Sequence, residues 1–394
     1  QMNKKNILMP IAFLQTLGLG GISVAFFMIP HAFFAGLHKG FPMATWSHTI
    51  TFLENSDNMV SNFLIIFGMI GTLFFALWHI KSLITNLKLS NQSNEIVNSE
   101  IDNSNAEATK FAKPLAIAMT VNVSFILGAL FVPNLHTIFE YLFPFAIIAF
   151  TLIFIWQLKL LKSKTDTLLN INGDSKFSWD NNNSFVLLLI PFSLLMVAVG
   201  LAAPAAMSHN LTTQTIAFVL SLFTLITALV FTFVFIVAGI TSIINKGGIS
   251  AKAGATIWIF IPIITLVGIT LVRLEHSVHT LSTNTGHSFF GLILTVTCVL
   301  FELIIIYIGY NFLKKTGYLE YEVHSKEKGS NISVFGLICP GVALSVMTGL
   351  VAYFCIKSGL VQPYDITWYL LLLLWSVTLT QTIKTLFKLN KKYS

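Results

Sequence analysis

Ten long apolar stretches dominate the chain, and short polar segments separate them. A helix needs about 20 mostly apolar residues to cross the hydrocarbon core of a bilayer. Barrel strands would be about 10 residues long with alternating polarity, and these stretches are longer and do not alternate. The pattern therefore predicts an all-α membrane protein that forms one transmembrane domain over residues 1–394. Its ten spans are predicted near 8–30, 59–84, 113–132, 136–160, 184–206, 213–243, 253–274, 287–313, 334–357 and 366–388.

The basic residues predict how these spans are oriented. Cytoplasmic segments of membrane proteins are enriched in Lys and Arg. With the N-terminus inside, only three of the 23 basic residues fall on the outer side, namely Lys39, Arg273 and Lys357. We therefore expect both termini to be cytoplasmic and the protein to lie in a bacterial inner membrane. The polar segment 89–111, rich in Asn, Ser and Glu, is predicted to be a flexible cytoplasmic linker.

The composition agrees with a bilayer environment. Charged residues make up 10% of the chain and hydrophobic residues 55%, whereas soluble globular proteins carry about 25% charged residues. The net charge of +7 is scattered along the chain, so lipid is the expected partner and nucleic acid is not. Motifs for nucleotide hydrolysis, zinc proteolysis or serine hydrolysis do not occur in a suitable context. An enzyme is therefore the less favoured expectation.

Prolines distinguish the odd-numbered spans from the even-numbered ones. Every odd span has a proline towards its cytoplasmic half, whereas Pro144 is the single proline assigned to the even spans. A proline removes one backbone hydrogen bond and bends a membrane helix, which is tolerated where the freed carbonyl meets protein or a water-filled cavity. The odd spans are thus predicted to form one structural class. Their prolines are Pro10, Pro114, Pro191, Pro262 and Pro340.

Small or polar residues follow these prolines at similar offsets. This repetition predicts five helical hairpins, in which bent inner helices surround a central pathway and straighter outer helices shield them from lipid. The alternative is that small residues only allow close helix packing, as in any bundle. The predicted pathway residues are Gly18 in the first span, Asn122 in the third, Gly200 in the fifth, Gly268 in the seventh and Gly349 in the ninth.

The seventh span carries a sequence that resembles a known family. Residues 257–262 read IWIFIP, and Gly268 follows. With the ten-span plan, this W-x-x-x-P stretch is similar to the voltage-dependent anion channel family, which includes slow-type anion channels, tellurite-resistance proteins and malate permeases. The resemblance implies a channel or passive transporter for small inorganic or organic anions. It also implies a pore lined by the odd-numbered spans and a homotrimer with one pore per subunit.

The same resemblance implies an aromatic gate on the ninth span. The comparable position in this chain is Cys339, directly before Pro340, and Phe335 lies one turn earlier. A constriction is therefore expected near Phe335 and Cys339. Cys339 departs from the phenylalanine of the family, so the gate is Phe335, another aromatic residue or a different device.

Two charged residues lie at the depth of the membrane. Arg273, the single arginine, ends the seventh span and is expected to attract anions from outside, because arginine keeps its charge and offers five donors. The alternative is an interfacial role, by snorkelling or by a salt bridge with Glu275. Glu302 lies well inside the eighth span, where an acid is costly unless it is protonated, paired or facing water. Glu302 either has a function or, in its neutral form, makes a hydrogen bond to a neighbouring helix.

The histidines support a second hypothesis from a different class. Eight of the ten histidines fall at the outer ends of spans or in outer loops. Neutral imidazole is the commonest nitrogen ligand for transition metals and haem iron. The alternative function is thus a membrane redox protein with haem b or a transition metal, whereas the channel needs no cofactor. The candidate ligands are His31, His136, His276 and His279.

Overall fold

The computed structural model describes residues 9–37, 41–101, 105–169, 173, 184–249, 251–281, 289–324 and 332–393. These residues form helices and turns without a strand. Ten of the helices are long and apolar enough to cross a membrane, which indicates an integral membrane protein. In chain order, their α-helical parts are Met9–Met28, Met59–Ile101, Ala112–Phe131, Phe139–Leu168, Leu189–Met207, Leu211–Asn245, Phe260–Leu281, Phe290–Lys315, Ile338–Lys357 and Ile366–Tyr393.

The odd-numbered spans lie in the interior of the helix bundle, and the even-numbered spans lie at its periphery. In the most apolar part of each span, 89%, 44%, 89%, 44% and 78% of the residues are buried in the odd spans. The corresponding values in the even spans are 33%, 39%, 33%, 22% and 22%. Each odd span packs against the even span that follows it. The division into two classes of helix, which the prolines predicted, therefore appears in the burial.

The prolines do not act as the sequence suggested. Pro114, Pro191, Pro262 and Pro340 each occupy the third position of an α-helix that directly follows a 3₁₀ segment. In the first turn of a helix the N–H group needs no partner within the helix, so proline fits there without a defect. These prolines mark the change from 3₁₀ to α-helix and do not bend the middle of a span. This junction recurs in the third, fifth, seventh and ninth spans.

Two other prolines lie inside helices. Pro204 is near the outer end of the fifth span and Pro144 is in the fourth span. The ring of a proline inside a helix leaves the carbonyl four residues earlier without its hydrogen bond. For Pro204 that carbonyl belongs to Gly200, which was predicted to line the pathway. Among the described prolines, hydrogen bonding inside a helix is thus interrupted at Pro144 and Pro204 and not at the prolines of the first turns.

The segment 89–111 differs from the predicted flexible linker. Residues 89–101 continue the second helix, and Asn105–Phe111 form a 3₁₀ segment. Within that segment Glu107 is buried and lies 3.7 Å from Nζ of the buried Lys164. Glu107 also accepts hydrogen bonds from the hydroxyls of Ser163 and Thr167. This buried ion pair holds the segment against the end of the fourth span, which is why its polar composition does not make residues 105–111 a free linker.

Candidate functional site

A cavity of about 180 Å³ lies at the centre of the bundle. All five odd spans contribute to its wall, and the fourth span supplies the remaining side, together with Met43 from the outer loop. Six of the predicted pathway residues line it: Gly18, Asn122, Gly200, Pro262, Arg273 and Cys339. The repeated offsets after the prolines therefore identified a common inner surface.

Four other predicted residues do not line this cavity. Phe335 and Pro340 are buried in the helix packing, and Phe335 borders none of the three cavities described here. Gly268 packs against Sγ of Cys298 in the eighth span, and Gly349 packs against Met28 of the first span. These two glycines allow close helix approach, as the alternative interpretation proposed. A gate at Phe335 is therefore not supported by its position.

The wall of the cavity is mostly apolar. Among its lining residues, nitrogen- or oxygen-bearing side chains come from Asn122, Thr265 and Arg273. Nδ2 of Asn122 donates to the carbonyl of Ala118 at 3.3 Å and lies 3.6 Å from Sδ of Met196. Sulfur atoms also border the space, from Met43, Met119, Met196, Met207 and Cys339.

Arg273 is the charged group of the cavity. Its Nη1 donates to the backbone carbonyl of Val199 at 2.8 Å. Within the part of the chain that the structure describes, it forms no ion pair with a carboxylate. Glu275, the partner in the salt-bridge alternative, lies 2.8 Å from Nε2 of His279 instead. The guanidinium thus keeps a positive charge inside an apolar cavity, with donors left over after its bond to Val199.

Gly200 receives an aromatic ring from the fourth span. A Cβ atom added at Gly200 would overlap the ring of Phe150, whose Cε2 would be 2.7 Å away. Phe150 is almost fully buried and lines the cavity beside Phe143. The missing side chain at position 200 therefore makes room for an aromatic residue that limits the width of the cavity.

Two further cavities continue the central one towards the ends of the odd spans. At the end of the bundle where the fifth span finishes, Met207 lines both the central cavity and a vestibule of about 540 Å³, named the outer vestibule after the predicted orientation. At the inner end, Phe192, Pro262 and Cys339 line both the central cavity and a smaller one of about 50 Å³. The three cavities are thus arranged in series, with Met207 at one boundary and Phe192 with Cys339 at the other.

The outer vestibule carries basic groups. Lys357, His209 and His276 line it, and none of its lining residues is acidic. Nζ of Lys357 lies 5.5 Å from the ring centre of Tyr353. The carboxylate of Glu140 is turned to the backbone of the rim, where it accepts from the N–H groups of His209 at 3.0 Å and Asn210 at 3.2 Å. The approach to Arg273 from this end therefore favours negative charge.

Glu302 lies behind the wall of the cavity. Its side chain is fully buried, and Oε1 accepts a hydrogen bond from the hydroxyl of Thr265 at 2.5 Å. Oε2 is buried without a hydrogen-bond partner. Because Thr265 lines the cavity, Glu302 is one residue away from it. Glu302 thus makes a hydrogen bond to the neighbouring seventh span and also lies close to the central cavity. The sequence analysis had left these two situations as alternatives.

The four candidate histidines lie in different surroundings. His31 stacks between Phe27 and Tyr353, with ring centres 5.2 and 5.3 Å away. The ring of His136 is 6.3 Å from that of His48. His276 lines the vestibule, whereas His279 adjoins Glu275. In the described ranges, no group of three or more His, Cys, Asp or Glu side chains is placed to hold a metal ion.

Sequence reasoning missed several residues of this pathway. Phe150 was overlooked because it belongs to an even span, although Pro144 had marked the fourth span as unlike the other even ones. Met207 and Lys357 lie at helix ends, where apolar patterning carries no information about a vestibule. Phe192 follows Pro191 directly and was not distinguished from the other buried aromatic residues.

Comparison with known proteins identifies no family for this chain. No family model matches the chain, and neither a curated protein nor a solved structure matches it. The similarity to the voltage-dependent anion channel family therefore stays a prediction from the sequence.

Proposed function

We propose that the protein is a channel or passive transporter for small anions, with the three cavities as its pathway. The observation that carries this proposal is the guanidinium of Arg273, which lies in an apolar cavity and has no carboxylate partner among the described residues. Burying an ion without a counter-charge is costly. An anion in the cavity would supply that counter-charge.

The electrostatic gain is large enough to matter. Two opposite unit charges 4 Å apart attract by about 4 kcal/mol at an effective dielectric constant of about 20, compared with about 1 kcal/mol in bulk water. A difference of about 3 kcal/mol corresponds to more than a hundredfold in affinity. This gain offsets part of the hydration that an anion loses on entering the cavity.

The chemistry of the wall favours monovalent and weakly hydrated anions. Arg273 supplies one positive charge, and Asn122 and Thr265 supply few additional polar contacts. A multivalent anion would lose more hydration than these groups replace. A volume of about 180 Å³ suits a small anion.

The vestibule would raise the supply of anions. A cleft lined by one sign of charge increases the local concentration of the opposite sign, and the charged Lys357, with no acidic residue among the lining residues, gives the vestibule that property. Because this effect acts through solvent, it is screened by salt. Arg273, inside the bundle, is screened much less.

The architecture and setting belong to the same proposal. Five hairpins around the pathway are supported by the greater burial of the odd spans, and cytoplasmic termini by the distribution of the basic residues. Location in a bacterial inner membrane follows from that orientation. Membership of the voltage-dependent anion channel family and a homotrimer are supported by the sequence resemblance alone. Native mass spectrometry in detergent tests the trimer, and labelling of Lys357→Cys by an impermeant reagent from outside tests the orientation.

The function is tested with purified protein in liposomes. Chloride efflux is followed with a selective electrode, and a potassium ionophore balances the charge. We expect wild-type protein to release chloride and Arg273→Gln to raise the half-saturating chloride concentration by about tenfold or more, because the counter-charge is lost. Arg273→Lys keeps the positive charge, so its half-saturating chloride concentration should rise less than that of Arg273→Gln.

A matched control removes a charge elsewhere. Lys246 is exposed at the end of the sixth span, so Lys246→Gln changes the net charge equally without touching the cavity and should leave the flux as in wild type. The proposal is refuted if wild-type protein does not carry chloride. It is also refuted if Arg273→Gln and Lys246→Gln behave alike. The histidine-based redox alternative is not proposed, because no observation brings its four ligands together.

A further inference from the structure

We propose that Glu302 is a proton-binding site that controls anion affinity through Thr265. This inference rests on the proposed anion pathway and concerns the regulation of its central cavity. Its basis is the hydrogen bond of 2.5 Å between Thr265 and Oε1 of the buried Glu302, with Thr265 at the cavity wall.

The hydroxyl of Thr265 has one hydrogen, and Glu302 determines where it goes. When Glu302 is ionised, its carboxylate can only accept, so Thr265 donates to Oε1 and turns its oxygen lone pairs elsewhere. When Glu302 is protonated, the acid becomes the donor and Thr265 accepts. The hydroxyl hydrogen is then released from Glu302 and can be donated to an anion in the cavity, in competition with the carbonyl of Ile261 at 3.2 Å.

The charge of Glu302 acts in the same direction. An ionised carboxylate one residue behind the wall repels an anion, and in a poorly polar surrounding this repulsion is stronger than in water. Protonation by a proton from water removes the negative charge and supplies the donor in one step. Oε2, which is buried without a hydrogen-bond partner, is available to hold that proton.

The surroundings of Glu302 contain little else that titrates. On its own helix the thiol of Cys298 lies one turn away, and it packs over Gly268 of the seventh span. On the seventh span, Arg273 is eight residues beyond Thr265, which is about 12 Å along a helix. The 3₁₀ segment before that span presents the indole of Trp258, which does not titrate.

The ninth span also packs against the eighth, and its titratable side chains lie near its two ends. Its contact with the eighth span at Phe354 and Gly291 is eleven residues from Glu302, about 16 Å along the helix. Tyr353, Cys355 and Lys357 lie near that contact. Cys339 lies at the opposite end, where it borders the inner cavity.

The chemistry gives a direction for the pH dependence. Protonated Glu302 favours the anion, so binding of the anion favours protonation by linkage. We expect the half-saturating chloride concentration of wild-type protein to rise about tenfold between about pH 5 and about pH 9, the factor that 1.4 kcal/mol represents. Chloride is the chosen probe because it does not itself change protonation over this range.

Three variants separate this mechanism from its alternatives. Glu302→Gln cannot ionise and can donate to Thr265, so it should keep the high affinity of acidic pH at both pH values. Thr265→Val lacks the hydroxyl, so its affinity at acidic pH should be lower than that of wild type and its pH dependence weaker, because only the charge of Glu302 then acts. Thr265→Ser retains the hydroxyl and should keep the wild-type pH dependence. Thermal stability in detergent shows which variants are folded.

A second readout does not depend on transport. Infrared difference spectra on adding chloride at constant pH should show an increase in the carboxylic acid C=O stretch, and this band should be absent in Glu302→Gln. If Glu302→Gln retains the wild-type pH dependence, or if the affinity of wild-type protein does not change with pH, the inference is refuted and the anion pathway stands. If wild-type protein carries no chloride at either pH, both fail together.

Discussion

Replacing Gly200 with alanine should narrow the pathway by moving Phe150. An added Cβ would lie 2.7 Å from Cε2 of that ring, whereas unstrained carbon contacts are about 3.5–4.0 Å. Cζ of the ring would be closer still, so the ring must move by more than about 1 Å. The free space next to it is the central cavity of about 180 Å³, so the displacement should reduce the room for an anion.

The cost of this change can be estimated. Overpacking a well-packed interior typically costs about 1–3 kcal/mol, and the ring of Phe150 is buried on all sides except the cavity. We expect Gly200→Ala to lower thermal stability modestly and to reduce chloride efflux by about tenfold. Efflux from liposomes and melting in detergent are measured on the same preparation.

A double substitution separates this effect from general damage. Phe150→Leu shortens the side chain that the alanine meets, so Gly200→Ala with Phe150→Leu should recover flux relative to Gly200→Ala alone. Gly239→Ala is the control, because a Cβ there also meets an aromatic ring, with Cδ1 of Phe185 at 3.0 Å, whereas neither residue lines the three cavities. Wild-type flux in Gly200→Ala would refute the reasoning. A double variant as poor as the single one would do the same.

Three further predictions concern the two ends of the pathway and the cytoplasmic side. Phe192→Ala should raise chloride flux by opening the boundary with the inner cavity, whereas Phe335→Ala should not; equal effects on flux would contradict the positions found. Lys357→Gln should reduce flux at low ionic strength and much less at high salt, and a loss that salt does not change would point to direct binding. Glu107→Ala leaves Lys164 buried without its counter-charge and should lower the free energy of unfolding by about 3 kcal/mol; an unchanged melting temperature would show that the pair contributes little.

The ten spans and their inner and outer classes were predictable because both depend on local composition. The length of an apolar run can be read directly from the sequence. A proline indicates the start of a helix even when its effect on the helix is interpreted wrongly. The wall residues Gly18, Asn122 and Gly200 followed from repetition, since helices that share a starting junction present matching turns to a common axis.

What escaped prediction depends on contacts between distant parts of the chain. The ring of Phe150 enters the cavity because Gly200, fifty residues later, leaves space for it. The segment containing Glu107 is held in place by Lys164, which belongs to the fourth span. A gate at Phe335 was expected from the resemblance to the voltage-dependent anion channel family. In the structure, the packing of the ninth span buries Phe335 among the helices instead.

Arg273 illustrates how structure decides between two reasonable interpretations. From the sequence, Glu275 was an available partner, and an interfacial salt bridge would have explained the arginine. The structure places His279 beside Glu275 and directs Arg273 to the carbonyl of Val199. The geometry around this side chain thus argues against the salt bridge with Glu275 and supports the proposed anion-binding role.

The presence of an anion beside Arg273 is the central claim, and a crystal structure with bromide tests it most directly. Anomalous scattering locates bromide without reference to transport. The account predicts a peak in the central cavity within contact distance of the Arg273 guanidinium, and its loss in Arg273→Gln. A central cavity without bromide in wild-type crystals, with peaks confined to the protein surface, would contradict it.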